Sequence, residues 1–104
     1  GFIMIVGRVK GHIVAAAKVE NLEGEKLLVV EILSVTSEGL KATNLHMVCL
    51  DAVQAGEGQV VVVVQGSSAR TAIGMKDVPV DALIVGIVDN LNAFGQSINR
   101  EKII

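Results

Sequence analysis

Ala55-Gly56-Glu57-Gly58-Gln59-Val60-Val61-Val62-Val63-Val64-Gln65-Gly66 is the stretch on which the fold turns. Five successive β-branched residues between glycine-containing segments read as a strand over residues 59–65. The run lacks the alternation of a sheet with one wet face, so both of its faces are expected to be covered, one by the core and the other by a neighbouring molecule. Residues 55–58 look superficially like a phosphate cradle. They lead into a strand instead of a helix, however, and end without Gly-Lys-Ser/Thr, so the oriented amides of a helix N-terminus are missing. Gly56 and Gly58 are therefore read as structural turn residues of a hairpin.

Working outward from that strand, Val- and Ile-rich segments alternate with turn sequences at fairly regular intervals, the pattern of a small barrel or sandwich. A first strand covers about 3–16, and Gly7 and Gly11 within it predict a sharp bend or bulge. A second covers 26–35. Thr36-Ser37-Glu38-Gly39 then reads as a turn, with Gly39 available for positive φ, before a third strand at about 45–50. A last core strand is expected at 80–88, entered from a loop at Pro79, the only proline. Between the fourth and last strands, Ser67 and Ser68 can cap one or two helical turns over 67–73. Residues 90–104 are more polar and irregular, and read as a short strand or a C-terminal arm reaching over an adjacent subunit. The fold class is all-β, in one domain over residues 1–104.

Length and composition narrow the function classes. A chain of 104 residues fits a single domain. It is 51% hydrophobic and 19% charged, with a mean hydropathy of +0.59. A domain of this size buries only about two-thirds of its unfolded surface, so part of that apolar content calls for another subunit and predicts a homo-oligomer. The net charge of −2 and the scattered basic residues argue against a nucleic-acid partner. No apolar segment approaches the roughly 20 residues a spanning helix needs, which argues against a membrane partner. A lone cysteine, Cys49, and the absence of a secretory signal pattern point to the cytoplasm.

The residues that could carry chemistry are few. His46 and Cys49 have a ligand-like spacing, and His12 is a third candidate. On a strand, though, side chains three apart face opposite sides of the sheet and cannot share an ion without an intervening bulge. No metal site is expected, and no cofactor. Gly66-Ser67-Ser68-Ala69-Arg70 is similar to the nucleophile turn of α/β-hydrolases, but Arg70 stands where glycine is required, and both histidines precede Ser67. A triad in the order His46, Asp51, Ser67 remains formally constructible, yet nothing in the spacing brings the three together. An enzyme is not expected. The same turn could hold a small anion on its amides beside Arg70, or simply cap a helix while Arg70 makes a subunit contact, and the second reading is preferred.

Val48 to Gly58, the valine strand, Gln65-Gly66-Ser67-Ser68-Ala69-Arg70, Pro79-Val80-Asp81-Ala82 and Val85-Gly86-Ile87-Val88-Asp89 together resemble the vertex-protein family of bacterial microcompartments, shared by carboxysomes and ethanolamine-utilisation shells. Gly7 to Ala16 and Leu22 to Leu28 resemble its opening strands. The ordered set spans most of Met4–Asp89. The resemblance implies a five-stranded barrel of the oligonucleotide-binding type over about 4–89, with one short helix and a C-terminal arm at 90–104. It further implies a homopentamer at the vertices of a shell tiled by hexameric shell proteins, and places Gly66, Ser67, Ser68, Ala69 and Arg70 near the ring axis as a pore or subunit interface. Cys49 and Gln54 depart from the family, which more often has small residues there.

The competing reading is a ligand or nucleic-acid binding module on the same barrel type. Such a face needs stacking aromatics and positive charge, whereas this chain has two Phe, no Tyr and no Trp.

Overall fold

The computed structural model describes residues 3–14, 26–66, 82–93 and 95–99. Among the described residues there are seven strands: β1 (Ile3–Ile13), β2 (Leu27–Thr36), β3 (Gly39–Asp51), β4 (Val60–Gln65), β5 (Ala82–Ile87), β6 (Asn90–Ala93) and β7 (Gln96–Asn99). The first five close into a barrel in the order β1-β2-β3-β5-β4, and β6 and β7 form a separate two-stranded sheet. All barrel pairings are antiparallel except β3 with β5, which meet in parallel only at Leu50↔Leu83 and Asp51↔Ile84. The all-β barrel expected from the patterning is present. The helix expected over 67–73 lies outside the described residues.

Closing so small a barrel requires tight curvature, and β1 supplies it. Its pairing with β2 slips between Val9 and Gly11, leaving Lys10 as the extra residue of a bulge. At Gly7 the adjacent β2 backbone passes so close that a Cβ would lie 2.8 Å from the Glu31 carbonyl oxygen. No larger residue fits there without displacing β2. The interior is filled by Val9, Leu28, Val30, Cys49, Val61, Val63, Ala82 and Ile84, the inward halves of all five strands.

Three expectations need correction. The valine strand is indeed covered on both faces, but its own chain does much of the covering. Val61 and Val63 point into the barrel, while Val60 joins Leu33, Val6, Leu40, Val88 and Leu91 in one outer cluster, and Val64 joins Leu50 and Leu83 in another. Only Val62 is partly exposed. The loop before β4 is not a hairpin, because β5 lies between β3 and β4 in the barrel. It crosses the barrel end instead, clipped to β1 by Val9 N–H to Gln59 O (2.9 Å) and Gly58 N–H to Val9 O (2.8 Å). Finally, β3 begins at Gly39 and not near residue 45. Thr36 and Gly39 pair across a two-residue turn, with Gly39 at φ 114° as expected, and hairpin pairing to β2 draws the polar residues Lys41–Asn44 into the sheet.

The described part of the C-terminal segment, residues 90–93 and 95–99, is the β6–β7 hairpin. It is tied back by Leu91, which packs with Val60 and Leu33 of its own barrel. Any further reach of residues 100–104 lies outside the described residues.

Candidate functional site

Of the turn expected near a ring axis, Gly66 is described, and it leaves β4 at φ 118°, a conformation that favours glycine. Its neighbour Gln65 is the last residue of β4, paired with Ile3 on one side and Ala82 on the other, so Gly66 lies at the barrel end at which β1 starts. Ser67, Ser68, Ala69 and Arg70 lie outside the described residues. Gly56 and Gly58 form a true turn. The Gln59 N–H donates to Gly56 O at 3.2 Å, Gly58 has φ +88°, and the Gly56 N–H donates to Gln59 Oε1 at 2.7 Å. Arg8 Nη1 donates to Gly58 O at 2.7 Å and fixes the turn to β1.

Asp51 is no catalytic acid. Its side chain is buried, and its two oxygens accept from Val53 N–H (3.1 Å) and Ala55 N–H (2.9 Å), with Lys26 Nζ 3.9 Å away. The carboxylate thus satisfies two loop amides that would otherwise be orphaned at the end of β3. His46 lies on the exposed part of β3, five residues earlier and hence roughly 16 Å away along the strand. The two are not brought together. Cys49 is buried in the barrel while His46 is exposed, so this pair faces opposite sides of the sheet. His12, exposed at the far end of β1, lies 3.5 Å from Glu57. Among the described residues, no three His, Cys, Asp or Glu side chains sit close enough to hold a metal ion.

One constellation was not anticipated. Pairing of β2 with β3 slips between Glu31 and Leu33, and the extra residues of β3 form a bulge around Thr43–Leu45, with Asn44 at φ 62°. Side-chain hydrogen bonds pin it. Glu31 Oε2 accepts the Asn44 N–H at 3.0 Å, Thr43 Oγ1 donates to Ile32 O at 2.6 Å, and the Leu45 N–H donates to Thr43 Oγ1 at 3.2 Å. The Glu31 side chain is only 10% exposed, and Lys10 Nζ lies 3.7 Å from its other oxygen. The available signal was a lone carboxylate in the apolar run Leu27–Leu33, a position that only a structural partner makes tolerable. The bulge leaves Leu45 62% exposed, and Val48 farther along the strand is 46% exposed.

What this geometry offers is surface for assembly, with a barrel for support. Comparison with known proteins agrees. Residues 4–89 match the family model described as ethanolamine utilisation protein EutN/carboxysome. The bacterial microcompartment shell vertex protein GrpN of Rhodospirillum rubrum is 43% identical over 88 residues, covering 85% of this chain and 96% of that protein. The carboxysome shell vertex protein CcmL of Synechocystis is 36% identical over 99 residues, covering 95% of this chain and 96% of its own length. Among solved structures, the pentameric microcompartment shell protein GrpN from Rhodospirillum rubrum superposes with a TM-score of 0.73 at 40% identity, covering 86% of this chain and 98% of that one.

Proposed function

The chain belongs to the ethanolamine utilisation protein EutN/carboxysome family, and from that premise we propose that it is a structural shell protein that caps the vertices of a bacterial microcompartment as a homopentamer. It is not an enzyme. The observation that carries this reading is the continuous match over residues 4–89, which hold the five strands of the barrel except Ile3 at the start of β1.

The role is geometric. A flat sheet of six-fold units has no curvature and cannot close, so a polyhedral shell needs a five-fold unit at each corner. Residues 1–104 act in this role as one domain, and the expected neighbours in the shell are hexameric shell proteins. The turn Gly66-Ser67-Ser68-Ala69-Arg70 is assigned to the ring axis. Supporting that placement are the position of Gly66 at one barrel end and the serine hydroxyls that five copies would bring around a narrow opening.

Native mass spectrometry tests the ring: five copies of 10.9 kDa give a species of about 55 kDa. A stable monomer would sink the reading, and a six-fold ring would remove the vertex role while leaving the family intact. A binding module on the same barrel would instead retain labelled single-stranded DNA at physiological salt, and no retention is expected.

A further inference from the structure

Among the described residues, two charged side chains are buried, Glu31 and Asp51, and two residues other than glycine stand at positive φ, Asn44 at 62° and Gln54 at 59°. The two sets match one to one. Asp51 brackets Gln54, since its Oδ1 accepts the Val53 N–H at 3.1 Å and its Oδ2 the Ala55 N–H at 2.9 Å. Glu31 Oε2 accepts the N–H of Asn44 itself at 3.0 Å. A side chain at positive φ crowds its own backbone, and such a residue persists only where the surroundings enforce it. Packing does not enforce it here, because Asn44 and Gln54 are both exposed. The carboxylates do, as neighbouring N–H groups converge on an anion when the backbone between them turns through a left-handed residue. Gln54 is the more strained of the two, since asparagine tolerates this conformation through local hydrogen bonds of its short side chain.

The stretch that Gln54 bends lies over the barrel end. Ala55 is buried in the interior cluster, Val53 packs against it, and Cys49, the only cysteine, belongs to the same cluster. Beyond this stretch the chain is clipped to β1 through Gly58 and Gln59, and before it the chain is strand β3. From Ala52 to Ala55 the hydrogen bonds other than those of Asp51 are long, Ala52 N–H to Ile84 O at 3.3 Å and Lys26 Nζ to Ala55 O at 3.4 Å. Residues 52–55 can therefore lift while the barrel strands stay paired.

We propose that residues 52–55 are a strap latched over the barrel end by Asp51 against the backbone strain at Gln54, and that releasing the latch opens the barrel interior locally. The latch belongs to the single subunit, and its test does not depend on the ring.

Cys49 reports the opening, because it has no exposed surface while the strap is down. Its modification by a thiol reagent is followed against urea concentration in the full chain. A local opening exposes little surface, so the rate is expected to be nearly independent of urea at first and to rise steeply only where the barrel unfolds. In the flat region Asp51→Asn, which leaves one accepting oxygen for two amides, is expected to raise the rate about tenfold. Gln54→Gly removes the strain and is expected to lower the rate about threefold, whereas Gln54→Ala, which keeps a Cβ, does not lower it. Glu31→Gln, at the other carboxylate, is expected to leave it within about twofold. A rate that depends steeply on urea throughout, tracking global unfolding, overturns the strap. Equal rates in Gln54→Gly and Gln54→Ala, or equal acceleration by Glu31→Gln and Asp51→Asn, overturn the latch. The two Gln54 variants decide the matter should Asp51→Asn fail to fold.

Discussion

Asp51 and Glu31 are both acidic, both almost buried, and both spent on backbone amides. Each satisfies donors that the fold cannot pair within a sheet: Val53 and Ala55 where β3 ends, Asn44 where β3 bulges. Hydrogen bonds to a charged acceptor contribute about 1.5–3 kcal/mol each, and removing the acceptor leaves the donors desolvated. Asp51→Ala is therefore expected to destabilise the subunit by about 2–4 kcal/mol in urea denaturation. Asp51→Asn, which keeps one acceptor oxygen, should cost clearly less. Equal losses in the two variants would mean that packing and not amide satisfaction explains the residue. Neither role was legible in the sequence, where Asp51 was only one member of a formal His46–Asp51–Ser67 set. An acidic side chain's partners are backbone groups whose positions follow from the loop, and no residue pattern encodes them.

At the scale of elements, β4 is instructive because five identical residues meet different surroundings. Val61 and Val63 are fully buried in the barrel, Val60 and Val64 are buried in clusters on its outer side, and Val62 is partly exposed. A hydroxyl placed without a partner in an apolar core costs about 1–3 kcal/mol, so Val61→Thr should lower the unfolding free energy by that amount, with Val62→Thr costing less than about half as much. Matching losses at the two sites would show that position on the strand does not matter and would contradict the burial pattern. The strand itself was evident from the valine run, as was the Gly39 turn from the need for positive φ. The length of β3 was not. Its polar half, Lys41-Ala42-Thr43-Asn44, has no hydrophobic alternation and becomes strand through its pairing with Leu33–Val35.

For the whole molecule, function depends on how subunits meet. If Ser67 and Ser68 line the axis, replacing both with bulky residues must narrow the central opening in a structure of the ring, and an unchanged opening refutes the assignment. The apolar excess seen in the composition is divided between two uses. Part of it covers the outer face of β4 within the chain, where an adjoining molecule is expected from the sequence. The remainder is spread over exposed residues such as Ile3, Met4, Val14, Leu45 and Val48, and is surface that a ring can bury.

By itself the sequence determined the β class, the main strands and their turns, since these follow from side-chain branching and from backbone angles open mainly to glycine, both local properties. Through an ordered set of motifs it also marked the family. Tertiary structure alone decided that β5 enters between β3 and β4, that both faces of the valine strand are largely covered from within, and that Glu31 holds a bulge thirteen residues away at Asn44. Those features depend on contacts between segments distant in the chain, and a pairing across a barrel leaves no periodicity in either partner from which it could be read.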